Sequence, residues 1–250
     1  MLNIVIPMAG AGSRFVDAGY QDPKPLILIN KTPMIKVVID NLRPAQAHRF
    51  IFICQKQHIE SYDLHRKLSS WAPNSSIIEI DGMTEGAACT VLAAKDLINN
   101  DSPLMIANSD QFIDISIDLY LKKMEDLSLD GLIMTMTAND PKWSYVKLND
   151  TGNVCFLAEK KVISSEATVG IYNFKKGSDF VNAAEKMILD NIRSNNEFYV
   201  APVYNNLIND ALKIGVFNVG TEGDGMHGLG TPKDLDLFIQ NKASNFLFKE

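Results

Sequence analysis

The chain has 250 residues, 46% hydrophobic and 22% charged, an ordinary globular composition that excludes a disordered or fibrous class. That length builds one large α/β domain or two small ones. With 24 basic and 30 acidic residues the formal charge is −6, which argues against a nucleic-acid surface but still allows a phosphate pocket held by a few cations.

The opening MLNIVIPMAG has no basic leader and runs straight into glycine, so it reads as a first strand over 2–8 and not as a signal peptide. Apolar runs at 50–54 and 104–107 read as further buried strands, and 76–80 as another. Apolar residues at helical spacing predict helices over 34–42, 57–69 and 87–98. Strand–helix alternation of this kind implies right-handed βαβ units and a parallel sheet. After Asp110 the rhythm changes. A helix at 117–127 precedes close-spaced strands at 131–137, 145–148, 154–158 and 167–174, with Asn149-Asp150-Thr151-Gly152-Asn153 supplying a hairpin turn. Helices at 178–192 and 203–211, a strand at 214–219 and a last helix from Pro232, N-capped by Thr231, complete the chain. No linker, repeat or low-complexity tract interrupts it. One domain over 1–250 is expected, with a parallel first half (about 1–112) and a mixed second half (about 113–250). No stretch of about 18 apolar residues occurs, so no membrane span is expected. Cys54, Cys89 and Cys155 are odd in number and widely spaced in apolar runs, which fits free thiols in a reducing compartment, the cytoplasm by default.

The first strand feeds a small-residue loop, Ala9-Gly10-Ala11-Gly12-Ser13, followed by Arg14. Gly10 and Gly12 let backbone N–H groups approach phosphate oxygens closely. A dinucleotide fingerprint needs a small residue where Phe15 stands, and a P-loop needs the Gly-Lys-Ser/Thr that is absent. The remaining pattern is G-x-G-x-R followed by Lys24 within Asp22-Pro23-Lys24-Pro25-Leu26. Arg14 offers a planar fork for phosphate oxygens, and Lys24 a compact point charge whose direction is limited by a proline on each side. Two cations closing on a loop of bare amides suit a triphosphate.

Pro7–Arg14, Pro23-Lys24-Pro25-Leu26 and Thr32-Pro33-Met34-Ile35 resemble the opening of the sugar-phosphate nucleotidyltransferases (NDP-sugar pyrophosphorylases), and the resemblance continues along the chain in the family's order. It implies an α/β fold of Rossmann-like, GT-A-like type: three layers, α/β/α, around a mostly parallel mixed sheet. The first half would then bind nucleotide and the second the acceptor. Thr84-Glu85-Gly86 is similar to the family's base-recognition segment, where small residues let a flat base lie against backbone. Asn108-Ser109-Asp110 ends a buried strand, and ligands of open α/β sheets gather at such ends. Asp110 resembles the family's metal-binding aspartate and is expected to hold Mg²⁺; Asn108 and Ser109 are expected at the nucleotide. Glu159 and Lys160 resemble a Glu-Lys pair that takes the acceptor's hydroxyls and phosphate, and Gly170 a glycine that makes room beside it. The closing Gly228-Leu229-Gly230-Thr231-Pro232-Lys233-Asp234-Leu235 departs from the family's Asp-x-Gly-Thr-Pro-x-Asp-Leu: Gly228 replaces a second metal-binding aspartate. Asp224 or His227 could substitute, or Mg²⁺ could rest on Asp110, triphosphate and water.

The resemblance implies an Mg²⁺-dependent enzyme that condenses an NTP with a sugar phosphate to give an NDP-sugar and pyrophosphate, for surface or capsule polysaccharide. Arg14 and Lys24 are its expected catalytic cations. The base (CTP, UTP, GTP or dTTP), the acceptor and any homo-oligomer are left open. Three alternatives stand beside it: a cytidylyltransferase acting on phosphocholine, a polyol phosphate or a phospho-amino-acid derivative; a metal-dependent glycosyltransferase, for which Asn108-Ser109-Asp110 is half an Asp-x-Asp motif; and a nucleotide sensor without turnover.

Overall fold

The structure, a computed structural model, describes residues 1–240. The last ten residues of the expected single domain lie outside that range. In chain order the strands are β1 (Leu2–Pro7), β2 (Leu28–Ile29), β3 (Thr32–Pro33), β4 (His48–Gln55), β5 (Ser76–Ile80), β6 (Leu104–Ala107) and β7 (Gln111–Ile113). They continue with β8 (Gly131–Thr137), β9 (Tyr145–Leu148), β10 (Val154–Ala158), β11 (Glu166–Phe174), β12 (Ile214–Glu222) and β13 (Gly225–Gly228). All but the β2–β3 hairpin join one eleven-stranded sheet with the path β5-β4-β1-β6-β11-β8-β12-β13-β7, and β9 and β10 attach beside β11. The pairs β4–β5, β1–β4 and β1–β6 are parallel. β11 then runs antiparallel to both β6 and β8, and β8 is parallel to β12. The expected mixed α/β sheet with a parallel first half is what forms.

β1 shows why the sheet is buried on both sides. Side chains alternate across a strand, and here both faces are apolar. Leu2, Ile4 and Ile6 join one core with Ile35, Val38 and Leu42 of α2 (Met34–Leu42) and Tyr120 of α7 (Ile117–Asp126). Val5 joins a second core with Val91 of α5 (Ala87–Leu92), Ile98 of α6 (Lys95–Ile98) and Phe180 of α8 (Gly177–Leu189). Helices thus cover both faces, giving three layers.

Element boundaries differ where the backbone turns left-handed or a packing contact intervenes. The helix expected over 57–69 is two, α3 (Lys56–Tyr62) and α4 (Leu64–Trp71), split at Asp63 with φ of 51°. The stretch 87–98 is likewise divided between α5 and α6. The strands at 111–113 and 225–228 and the helix α1 (Ser13–Asp17) are too short for periodicity to reveal. α9 spans Tyr204–Asn209, and the final α10 spans Pro232–Gln240, where the expected Thr231 Oγ1 accepts from the Asp234 N–H at 3.1 Å. All three cysteines are free. Among the described residues, no helix is long and apolar enough to cross a membrane.

Candidate functional site

β1 leads to β4 on one side, and its other neighbour is β6, so the carboxyl ends of β1 and β6 flank the point where strand order reverses. Open α/β sheets place ligands in the crevice at such a point. A cavity of about 580 Å³ occupies it, lined in part by Gly10, Gly12, Arg14, Lys24, Asn108 and Asp110. Residues separated by up to 100 positions in sequence therefore share one wall.

The loop after β1 is fixed at several points. The Met8 N–H donates to the Ile53 carbonyl at 2.9 Å, and Gln55 Nε2 donates to the buried Ala9 carbonyl at 2.6 Å. Phe15 is buried edge-on against Tyr20, with ring centroids 5.1 Å apart. Gly12 has φ of 62°, and a Cβ on it would sit 3.2 Å from Lys24 Cβ, so glycine serves both the turn and the approach of Lys24. Gly10 faces open space, with nothing within 4 Å of a Cβ position. Ser13 and the exposed Arg14 line the cavity; Ala9 and Ala11 do not.

Lys24 opens a 3₁₀ turn, Lys24–Leu26, and its Nζ lies 2.9 Å from Asp110 Oδ2, with both side chains mostly buried. Asp110 is held through its backbone, whose carbonyl accepts from the Leu229 N–H at 2.8 Å. A Cβ on Gly230 would stand 2.7 Å from Asp110 Oδ2, so this glycine clears the space around the carboxylate. The sequence motif contained Gly230, but only its neighbour in space gives it a reason.

The chemistry of the donor set decides what metal fits. No cluster of three or more His, Cys, Asp or Glu suited to a metal exists among the described residues. His227 is not a second ligand: it is buried, its Nε2 lies 2.9 Å from Asp114 Oδ2, and its ring packs against Phe112 and Phe238. Asp224 sits in an exposed turn between β12 and β13, with its carbonyl accepting from the Thr221 N–H, and does not line the cavity. Asp110, a carboxylate already attracting an ammonium beside the opening loop, fits Mg²⁺, which takes one or two carboxylates and completes its shell with phosphate oxygens and water.

The segment 84–88 is stitched to another part of the chain. The Phe198 N–H donates to the Glu85 carbonyl at 2.8 Å, and the Ala88 N–H to the Phe198 carbonyl at 3.0 Å. Gly86, with φ of 127°, lies so near that a Cβ would be 2.5 Å from the Phe198 oxygen. Thr84 Oγ1 donates to the Gly86 carbonyl at 3.0 Å, and Glu85 pairs with Arg193 at 2.5 Å. From this segment Ala87 reaches the cavity, whereas Thr84, Glu85 and Gly86 do not line it. Asn108 does and Ser109 is buried away from it. Gly170 interrupts the β11–β8 register with φ of 83°, and a Cβ there would collide with the Asn108 and Gln111 amides. Glycine there makes room for these two side chains, and Gly170 itself lines the cavity.

Glu159 and Lys160 stand across the same cavity. Burial pushes the Glu159 carboxyl above its ordinary range, and Glu197 adds to this, against the Ser144 hydroxyl bound to it and the Lys160 ammonium. Lys160 has φ of 51°, and its Nζ donates to the Tyr199 hydroxyl at 2.6 Å, lying 4.8 Å from that ring's centre. Lys142, Trp143, Ser144 and Tyr199 complete this end. Lys142, Trp143 and Ser144 belong to the connection before β9 and carry no motif, and no sequence signal marked them.

The nucleotidyl transferase family model matches residues 4–202. The bifunctional protein GlmU of Methanocaldococcus jannaschii is 24% identical over 179 residues, covering 70% of this chain; the chain spans 40% of that relative's length. The crystal structure of a nucleoside-diphosphate-sugar pyrophosphorylase from Vibrio cholerae RC9 is similar with a TM-score of 0.81 at 24% identity, covering 95% of this chain and all of that one. A UDP-glucose pyrophosphorylase complexed with UDP-glucose gives 0.74 at 15% identity, covering 100% and 99% of the two chains. A putative glucose-1-phosphate thymidylyltransferase from Bacillus anthracis gives 0.73 at 15% identity, with 100% and 96% covered. At these identities the structures establish the shared fold.

Proposed function

We propose that this chain, which belongs to the nucleotidyl transferase family, joins the nucleoside monophosphate of an NTP to a sugar phosphate and releases pyrophosphate. One observation carries the reading: Arg14, Lys24 and Asp110 face the same cavity as Glu159 and Lys160. At about 580 Å³ it lies in the range of small-molecule sites. The acceptor phosphate is already anionic near neutral pH, so its oxygen attacks the α-phosphorus in line without a general base, and the bond to pyrophosphate breaks. The protein's task is positioning and charge compensation. In this reading Arg14 binds the triphosphate and steadies the departing pyrophosphate. Lys24 bridges the α-phosphate and the acceptor phosphate, and Lys160 steadies the acceptor. The loop 9–13, Asn108 and the wall near Ala87 seat the nucleotide. Asp110 would hold Mg²⁺, which when bound screens the negative charge of the phosphates. The same reading assigns the chain to the cytoplasm and to the supply of activated sugars for surface polysaccharide.

A second reading keeps the chemistry and changes the acceptor to a non-sugar phosphate, with CTP as donor. The aromatic and acidic wall of Trp143, Tyr199, Glu159 and Glu197 supports it, because it suits an amine as well as hydroxyls. Pyrophosphate release from CTP, UTP, GTP and dTTP with Mg²⁺ tests both. The acceptors are hexose 1-phosphates, phosphocholine, polyol phosphates and phospho-amino acids. Release with a hexose 1-phosphate supports the first reading, release with another phosphate alone selects the second, and no release with any pair rejects both.

A further inference from the structure

We infer that Ser144 is a positioning residue: its hydroxyl fixes the Glu159 carboxylate so that one oxygen is held by the protein and the other is offered to an O–H or N–H donor on the acceptor. This rests on the reading of Glu159 as an acceptor contact.

Ser144 opens the approach to β9, and Glu159 follows β10, the strand paired with β9. Ser144 is 8% exposed and is itself anchored, since its carbonyl accepts from the Thr168 N–H at 2.8 Å. Its Oγ donates to Glu159 Oε2. An ionised carboxylate only accepts, so the serine proton is committed to it and the serine oxygen is left to accept in turn. The Tyr172 hydroxyl neighbours that oxygen and lies 3.0 Å from Thr168 Oγ1. Burial pushes the Tyr172 phenol far above its ordinary range, so it keeps its proton at any working pH. Either of the Tyr172 and Thr168 hydroxyls can donate to the other, whereas the Ser144 hydroxyl is directed at Glu159. Glu159 Oε2 is occupied, while Oε1 has no partner among the described residues and its side chain lines the cavity.

The charges around Glu159 do not replace this contact. Lys160 lowers the Glu159 carboxyl through its charge, but its ammonium is hydrogen-bonded to the Tyr199 hydroxyl and not to the carboxylate. Lys142, on the Ser144 side, is bound to Glu222 at 2.9 Å. Glu197 repels Glu159, and the phenols of Tyr172 and Tyr199 are neutral. A partly desolvated carboxylate with no ion pair among the described residues depends on its hydrogen bond to stay ionised and oriented.

The test is a pH titration of the free protein labelled with ¹³C at the glutamate side-chain carboxyl, followed by NMR, with Glu159→Gln identifying the resonance. Ser144→Ala is expected to move the Glu159 titration to higher pH, and Ser144→Thr, which restores a hydroxyl, to bring it back toward wild type. An unchanged titration in Ser144→Ala overturns the inference, as does a shift that Ser144→Thr shares in full while circular dichroism stays native. Because the readout uses no nucleotide or acceptor, it stands whether or not the proposed turnover is found. Where an acceptor is turned over, Ser144→Ala is expected to raise its KM about tenfold at constant kcat; a changed kcat with constant KM contradicts the inference.

Discussion

Lys24 and Asp110 form an ion pair across 86 positions of sequence, at 2.9 Å and with side chains 22% and 23% exposed. An ammonium kept partly out of water beside one carboxylate is ready to exchange part of its interaction for a phosphate. Removing one preorganised charge partner in such a site costs roughly 2.7–4 kcal/mol. Lys24→Ala and Arg14→Ala are each expected to lower pyrophosphate release by about two to three orders of magnitude, with native circular dichroism. Near-normal release by both would remove them from the chemistry. Glu159 gives a prediction about stability. Its carboxyl is raised chiefly by desolvation, so its folded value exceeds its unfolded one and the ionised form is disfavoured in the folded state. At about pH 4 and below the group is protonated in both states and no penalty exists; the penalty grows as pH rises and is complete above the folded value. Glu159→Gln is therefore expected to melt higher than wild type at about pH 8, with the difference vanishing near pH 4. Equal melting temperatures at both would contradict the desolvated site. A gain in stability with a loss of acceptor binding is the trade expected of a functional carboxylate.

Among the elements, the joint between 84–88 and Phe198 shows what a local motif conceals. A Cβ on Gly86 would lie 2.5 Å from the oxygen and 2.6 Å from the nitrogen of Phe198, both backbone atoms. With φ of 127° as well, Gly86→Ala is expected to destabilise the fold by about 2 kcal/mol or more, measured by urea unfolding. A change within about 0.5 kcal/mol would show that the segment adjusts freely. The strands of the first half were readable because burial on both faces leaves continuous apolar runs such as Ile4-Val5-Ile6. The division of 57–69 was not, because Asp63 in a left-handed conformation keeps the apolar spacing on either side. Nor was one role of Gly170 and Gly230: besides lining the cavity, each clears space for a side chain distant in sequence, Asn108 in one case and Asp110 in the other. Lys142, Trp143 and Ser144 escaped notice because their meaning depends on the β9–β10 pairing that carries them to Glu159.

At the scale of the whole molecule, the parallel half and the antiparallel β11 meet beside β6, so one crevice collects the loops after β1 and β6, the connection before β9, the residues that follow β10, and β11 itself. The opening loop, Arg14, Lys24 and Asp110 were legible as separate motifs, and their meeting follows from the reversal of strand order between β4 and β6. Gly228 stands where a second aspartate could have joined Asp110, and His227 is committed to Asp114. The nucleotide itself would then supply the remaining oxygens around Mg²⁺. A crystal structure with Mg²⁺ and the NTP that binds most tightly tests this directly. The expected map shows the triphosphate on the loop 9–14, Arg14 and Lys24 on its oxygens, and the metal between Asp110 and the phosphates. A triphosphate seated elsewhere, or a metal with no contact to Asp110, would contradict it.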